Sequence, residues 1–318
     1  MIKIRPIIIA LILKLILLFL LMSCQRGENT NKEGPLVALV MKTLNNPFFI
    51  DMQRGAEEAA EELGITLLLQ AAEREVDVEK QMQIIENLIQ RDVDVLCITP
   101  SGSKEIVPAI VKANKADIPV LIVDTRVDSI SLIEAGGKIT TFIGSDNYDG
   151  GRIAGEYIVN ALGGKGEIAI LEGIPGHETG DARMSGFYKA LEGKNGIKIV
   201  TSQTANWERN LGFNVFQNIL QSYPSVKALF SCNDMMALGA VEAITAAGKT
   251  GQIVVVGFDA IEDAREAIRT GKMNGSVAQH PYDMGKLAIE NAKKIIDGQK
   301  IPSYIPVKID LVTKDNLK

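Results

Sequence analysis

The sequence predicts an α/β protein made of two doubly wound domains, each with a largely parallel sheet. Three observations carry this. Short apolar runs alternate with longer amphipathic stretches from Leu36 onward, the rhythm of repeated βα units. The apolar runs are nearly continuous Val, Ile and Leu, as expected where helices cover both faces of a parallel sheet. The alternation begins afresh after Asn147, and 318 residues suffice for about two domains.

The strands of the first half are expected at Leu36 to Met41, Ile65 to Leu69, Val93 to Thr99, Val120 to Val123 and Thr140 to Gly144. Between them Phe49 to Leu63, Val78 to Gln90 and Ile106 to Lys115 carry helical spacing with charged outer faces. The stretch from Thr125 to Lys138 reads as the one long loop. In the second half, strands are expected at Glu167 to Leu171, Ile197 to Gln203, Ala228 to Ser231, Ile253 to Val256 and Gly275 to Ala278. A last helix is expected from Asp283 to Asp297.

The first two dozen residues stand apart. Lys3 and Arg5 precede an apolar run, Ile7 to Leu21, interrupted only by Lys14, which is the layout of a signal peptide. The run ends Leu21-Met22-Ser23-Cys24, which resembles the lipobox of bacterial lipoproteins; cleavage then leaves Cys24 first, carrying the lipid that holds the chain to a membrane. The alternative is a plain signal anchor with an incidental cysteine. Residues 1–23 are thus read as the signal peptide and 24–35 as a lipidated, polar tether.

Of the three cysteines only Cys97 and Cys232 then remain, each in or beside an apolar run, and both read as buried thiols rather than a disulfide. No pair of residues has metal-ligand spacing, and neither a metal nor a cofactor is expected. A net charge of -5 supplies no basic face for phosphates, so nucleic acid is not expected as a partner.

In doubly wound sheets ligands bind beyond the carboxyl ends of the strands, so the residues after each apolar run matter most. Lys42, Asn46, Phe48 and Phe49 follow the first run, and Asp124 the fourth. The second half adds Arg183 after a Gly-rich loop, Trp207, Asn233, Phe258, Asp259 and Gln279. A sugar presents vicinal hydroxyls around a ring with apolar faces, and its site needs flat aromatics with planar polar groups at the rim. These residue types are that set.

Each has a plainer reading. Asp146 and Asp234 are expected to cap the helices that follow them, while Asn46, before Pro47, is more open. Phe48 and Phe49 compete with a core role; Trp207, between Asn206 and Glu208, reads as a loop-exposed ring; Arg183 could pair with Asp181. Lys42 is hardest to dismiss, since a lysine ending a buried strand must find a partner or a ligand oxygen.

Together these segments resemble the periplasmic pentose and hexose receptors of ABC transporters, the ribose- and allose-binding family, whose fold is that of periplasmic binding proteins type I and of lac-type repressor cores. The motifs that carry the resemblance are Lys42-Thr43-Leu44-Asn45-Asn46-Pro47-Phe48, Gly144-Ser145-Asp146-Asn147, Cys232-Asn233-Asp234 and Val256-Gly257-Phe258-Asp259. It spans Leu36 to about Asp315.

The resemblance implies a three-strand hinge with crossings near Gly144, Gln279 and Lys308. One sugar-binding lobe would comprise residues 36–144 and 280–308, the other 145–279 and 309–318. It also implies a monomer that closes on one monosaccharide, contacting it through the residues named above, and presents the closed form to the transmembrane subunits of an ABC permease. Ribose receptors have an Arg directly after the Asp124 equivalent, whereas here Thr125 intervenes before Arg126. Lys42 and the segment Ala260-Ile261-Glu262-Asp263-Ala264-Arg265 are allose-like, and Phe49 stands where the allose motif has Trp. An aldohexose of the D-allose type is favoured, with D-ribose next.

Rival functions fare worse. The only histidines, His177 and His280, have no nucleophile or metal-type partner at motif spacing, so a carbohydrate-acting enzyme is disfavoured, although Asp124 and Asp259 remain a conceivable carboxylate pair. Gly248-Lys249-Thr250 lacks the earlier P-loop glycine and reads as a helix stop. A repressor core conflicts with the leader and lacks a basic DNA-reading segment. A receptor that also feeds a membrane sensor stays compatible with everything above.

Overall fold

The computed structural model describes residues 34–317; the expected signal peptide, Cys24 and most of the tether lie outside them. Two six-stranded sheets dominate. The first contains β1 (Leu36–Met41), β2 (Thr66–Ala71), β3 (Val95–Ile98), β4 (Val120–Val123), β5 (Thr141–Ser145) and, from late in the chain, β11 (Tyr304–Val307). Its order is β11-β5-β4-β3-β1-β2, parallel throughout.

The second sheet contains β6 (Gly166–Glu172), β7 (Ile197–Thr204), β8 (Ala228–Ser231), β9 (Val254–Asp259), β10 (Gly275–Ala278) and β12 (Asp310–Thr313). Its order is β12-β10-β9-β8-β6-β7, with β12 alone antiparallel. Both sheets therefore reverse their winding beside their first strand, which places a ligand crevice at the carboxyl ends of β1 and β3, and of β6 and β8.

Helices follow the strands. The first lobe has α1 (Pro47–Leu63), α2 (Val78–Gln90), α3 (Val107–Lys115) and α4 (Ser129–Glu134); the second has α5 (Asn147–Ala161), α6 (Glu178–Leu191), α7 (Arg209–Ser222), α8 (Asp234–Ala246) and α9 (Glu262–Arg269). The helix α10 (Pro281–Ile296) packs back on α1 and on the first sheet. Sheet membership makes the chain pass between lobes after β5, after β10 and between β11 and β12.

Alternating side chains explain the two-sided strands. Val95, Cys97, Leu121 and Val123 face the core shared with Met52 of α1 and Ala288 of α10, while Leu96, Ile98, Val120 and Ile122 face Ile84 of α2 and Ile110 of α3. Each fully buried Leu or Ile contributes about 1.5–3 kcal/mol through loss of apolar surface from water. Cys97 and Cys232 are free and buried, and burial pushes each thiol up to about 12.

Three expectations need correction. The stretch from Thr125 to Lys138 is not all loop, because Asp128 caps the short α4 by accepting from Ser131 N at 2.8 Å. The edge strands β11 and β12 are absent from the sequence reading, being four residues each and only half-buried, with a polar or charged residue at each end of β12. Asp234 is not a cap: Asn233 caps α8, and Asp234 is the first helical residue.

Candidate functional site

The first wall of the site begins where β1 ends. Asn46 has extended backbone angles, caps α1 by accepting from Phe48 N at 3.1 Å, and precedes Pro47, whose missing N–H costs nothing at a helix start. This cap turns Phe48 and Phe49 inward, edge to face at 5.2 Å between ring centroids. Lys42 is 3% exposed, with Nζ 3.2 Å from Asp124 Oδ2, 4.0 Å from Glu75 Oε2 and 5.6 Å from the centre of the Phe49 ring. Asn46 Nδ2 donates to Glu75 Oε1 at 3.3 Å. Burial raises the Glu75 carboxyl above its ordinary range, with the Lys42 ammonium opposing the shift.

The second wall is centred on Arg183. A Cβ built on Gly151 of α5 would stand 1.9 Å from the Arg183 carbonyl oxygen, so only glycine lets α5 and α6 approach this closely. That approach puts Arg183 Nε 2.9 Å from Asn147 Oδ1, to which it donates, while Nη1 donates to the Cys232 carbonyl at 2.6 Å. The guanidinium lies 3.8 Å from the Phe258 ring centre and 5.7 Å from that of Trp207. Its nearest carboxylate is Asp259, at 3.8 Å, rather than Asp181.

Asp259 accepts from Gln279 Nε2 at 2.6 Å. Burial pushes its carboxyl up to about 7, and Arg183 restrains the shift. Gln279 Oε1 is buried without a hydrogen-bond partner in the protein. Asp234 lies beneath, accepting from Ile261 N and Ser276 Oγ; burial, then the nearby Asp259, holds its carboxyl well above the ordinary range.

Both walls contain backbone in the left-handed region at non-glycine residues. Asp124 has φ 66°, Trp207 67° and Asp259 112°. Such conformations cost about 1–3 kcal/mol each and persist where surrounding structure over-determines them, often at functional sites. Here they end β4 and β9 with a carboxylate turned into the space between the lobes.

Lys42, Asn46, Phe48, Phe49, Asp124, Arg183, Trp207, Asn233, Asp259 and Gln279 line one small cavity, together with Glu75 and Thr179. Phe258 is not in its wall; it lies against the Arg183 guanidinium. Trp207 is 6% exposed, not a loop-exposed ring, because Gly173 leaves room for the indole where a Cβ would stand 1.9 Å from it. Arg126 stays outside: its guanidinium stacks on Phe142 at 3.9 Å and Tyr304 at 4.8 Å. In its place beside Asp124 are the Thr125 hydroxyl, donating at 2.8 Å, and the Lys42 ammonium.

Glu75 and Thr179 escaped the sequence reading. Glu75 follows β2, and the carboxyl-end rule applied to that strand would have pointed to the loop Glu73-Arg74-Glu75 without choosing among its charges. Thr179, in the first turn of α6, had no signal beyond the preceding Gly-rich loop.

The lobes touch around the cavity. Arg74 Nη2 lies 2.7 Å from Glu208 Oε1, and Glu178 N donates to Ser103 Oγ at 3.1 Å. Two buried cations, three carboxylates, amides from both lobes and aromatic rings thus converge on a small space between the lobes. Such a wall suits a compact molecule with many hydroxyls better than an apolar or highly charged one.

Comparison with known proteins agrees with this architecture. Residues 37–300 match the model of the periplasmic binding protein domain. The chain is 37% identical to the ribose import binding protein of Bacillus subtilis over 93% of its own length and 96% of the relative's. It is 37% identical to the D-allose-binding periplasmic protein of Escherichia coli, covering 87% and 91% of the two chains. A periplasmic solute binding protein of an ABC transporter from Actinobacillus succinogenes, solved with D-allose, superposes with TM-score 0.84 at 41% identity, covering 89% of this chain and 98% of that one. With the domain model spanning most of the chain and these relatives matching over at least nine-tenths of their own length, the chain belongs to the periplasmic binding protein family.

Proposed function

We propose that the protein is the extracytoplasmic receptor of an ABC sugar importer, closing on one aldohexose of the D-allose type and handing it to the permease. The observation that carries this reading is the cavity itself. Lys42, Asn46 and Asp124 from one lobe meet Arg183, Asn233, Asp259 and Gln279 from the other, with Phe48, Phe49 and Trp207 supplying flat faces. Its planar polar groups and flat faces match the hydroxyls and apolar faces of a monosaccharide.

Lys42 beside Asp124 favours D-allose over D-ribose, because the cation that ribose receptors place directly after the aspartate is here turned away on Phe142 and Tyr304. The D-allose bound by the Actinobacillus succinogenes relative supports the same choice. The sugar-binding lobes are residues 36–144 with 280–308, and 145–279 with 309–318; closure about the three connecting segments is the signal to the permease. Residues 1–23 act as a signal peptide and Cys24 as the lipidated anchor of a monomeric receptor, on the strength of Leu21-Met22-Ser23-Cys24.

The test is titration of the compact body that begins at Pro35 with D-allose, D-ribose, D-galactose, D-glucose and myo-inositol, read by calorimetry and by emission of the single Trp. One-to-one binding, tightest for D-allose, is expected. No heat with any of the five would overturn the sugar reading, and a preference for D-ribose would overturn the role given to Lys42.

A further inference from the structure

His177 is buried, stands at the start of α6, and has no place in the sugar-binding set described above. Its ring is nonetheless engaged. Nδ1 accepts from Trp207 Nε1 at 3.3 Å, and the Ser101 backbone of the opposite lobe faces the ring. An acceptor at Nδ1 leaves the proton of the neutral ring on Nε2. Burial, foremost, lowers its pKa to about 4, so the ring is neutral at pH 7.

The partner on the other lobe is held in place. Buried Gln81 donates to the Met41 carbonyl at 3.3 Å and to the Thr99 carbonyl at 2.9 Å, and its Oε1 accepts from Ser101 N at 2.8 Å. Thr99 Oγ1 accepts from Lys42 N at 3.1 Å. The loop that meets His177 is therefore braced against the same strand end that presents Lys42. Next to it, Ser103 Oγ accepts from Glu178 N at 3.1 Å, a second bond between the same loop and the start of α6.

We propose that His177 is a positioning residue that ties the indole of Trp207, in the cavity wall, to the closed arrangement of the lobes. Within the second lobe it fixes the tilt of the ring that packs on the ligand. Across the cleft it makes that ring's support part of the closed interface. Closure and stacking then reinforce one another, since the bond from Glu178 N to Ser103 Oγ, beside His177, forms only when the lobes meet. The inference rests on the sugar-receptor reading for its consequence in affinity, but the His177 to Trp207 link stands without it.

Charges facing His177 are Lys42 and Asp124 from the first lobe, with Glu178 beside it and Asp181 one turn on in its own helix. Protonating the imidazole removes the Nδ1 acceptor and places a cation beside Lys42.

The experiment compares the full chain with His177→Phe, His177→Asn and Ser103→Ala. Phe keeps the ring volume and loses the bond to Trp207; Asn keeps an acceptor in place of Nδ1 but is too short to face Ser101; the Ser103 change weakens the loop contact alone. With one Trp in the chain, emission reports Trp207 directly. Expected at pH 7 is a shifted emission maximum in His177→Phe and an unshifted one in His177→Asn and Ser103→Ala. Sugar affinity should fall roughly tenfold or more in the Phe variant and about fivefold in the other two. Acidification of the wild type should move Trp207 emission with a midpoint below pH 5, before loss of far-ultraviolet dichroism, and His177→Phe should lack that step.

Wild-type emission and affinity in both His177 variants would overturn the proposal. Should the wild type bind no sugar, the receptor reading fails, and emission alone decides the proposal: a shift confined to His177→Phe supports it, and none overturns it.

Discussion

The two walls of the cavity solve one problem in different ways. Each presents a buried cation and a carboxylate on left-handed backbone at a strand end, Lys42 with Asp124 on one side and Arg183 with Asp259 on the other. The Lys42 ammonium is a point charge with two carboxylates near it, at 3.2 and 4.0 Å. The Arg183 fork is fixed by Asn147, by the Cys232 carbonyl and by contact with the rings of Phe258 and Trp207. A guanidinium locked this way is preorganised, whereas an ammonium on a flexible stem follows its counter-ions. The first wall is thus the adaptable one, suited to discriminating among sugars, and the second the rigid one, suited to supplying affinity.

The hardest blow to this contrast falls on Arg183. Arg183→Ala removes charge-assisted bonds worth about 1.5–3 kcal/mol each, so binding should weaken by roughly two orders of magnitude or more. Arg183→Lys should rescue little of it, because an ammonium cannot reproduce the fork. Calorimetric titration checks both; full rescue by Lys would abolish the distinction between the walls.

Lys42→Ser should act first on stability. It leaves Asp124 and Glu75 buried without their counter-ion, and breaking a buried pair costs about 3–5 kcal/mol, to be read as a drop in denaturant midpoint. The ratio of D-allose to D-ribose affinity should also shift toward ribose. An unchanged ratio would remove selectivity from the first wall.

The pH responses should have opposite signs. Asp259 sits at about 7 in the folded chain, above the ordinary value near 4, so the native state holds the extra proton between these values. Its contribution to stability is full below about pH 4 and is lost as pH rises through 7. Sugar hydroxyls donating to the carboxylate favour its ionised form, so affinity should rise with pH through this range and Asp259→Asn should flatten the profile. His177, lowered to about 4 from an ordinary value near 6.5, contributes stability above pH 6.5 that is lost as pH falls toward 4. Thermal melts of the two single variants across pH 4 to 7 separate the slopes.

The smallest effect on the cavity should come from Cys24→Ala, which should leave sugar affinity unchanged while releasing the protein from membranes. A variant that still sediments with membranes would defeat the lipid anchor.

Legibility varied for physical reasons. The strands were readable because short apolar runs such as those of Val120–Val123 and Ala228–Ser231 are buried on both faces. Helix α1 was readable from Asn46-Pro47, a cap and a first-turn proline. Most of the cavity wall was readable because the carboxyl-end rule needs only strand ends. Glu75 was not, since its loop carries several charges and nothing local marks which one turns inward. Nor were the cap at Asn233 rather than Asp234, or the burial of Trp207, which depend on neighbours far along the chain.

By itself the sequence determined the fold class, the repeat of two wound sheets and most of the residues that line the cavity, because periodicity and strand-end position are local properties. Only the tertiary structure decided which charges pair, that Arg126 turns away to Phe142 and Tyr304 while Lys42 takes the place beside Asp124, and that His177 accepts from Trp207. Those choices follow from burial: a charged or polar group removed from water takes whichever partner the packing of distant segments brings within reach, and no local pattern encodes that distance.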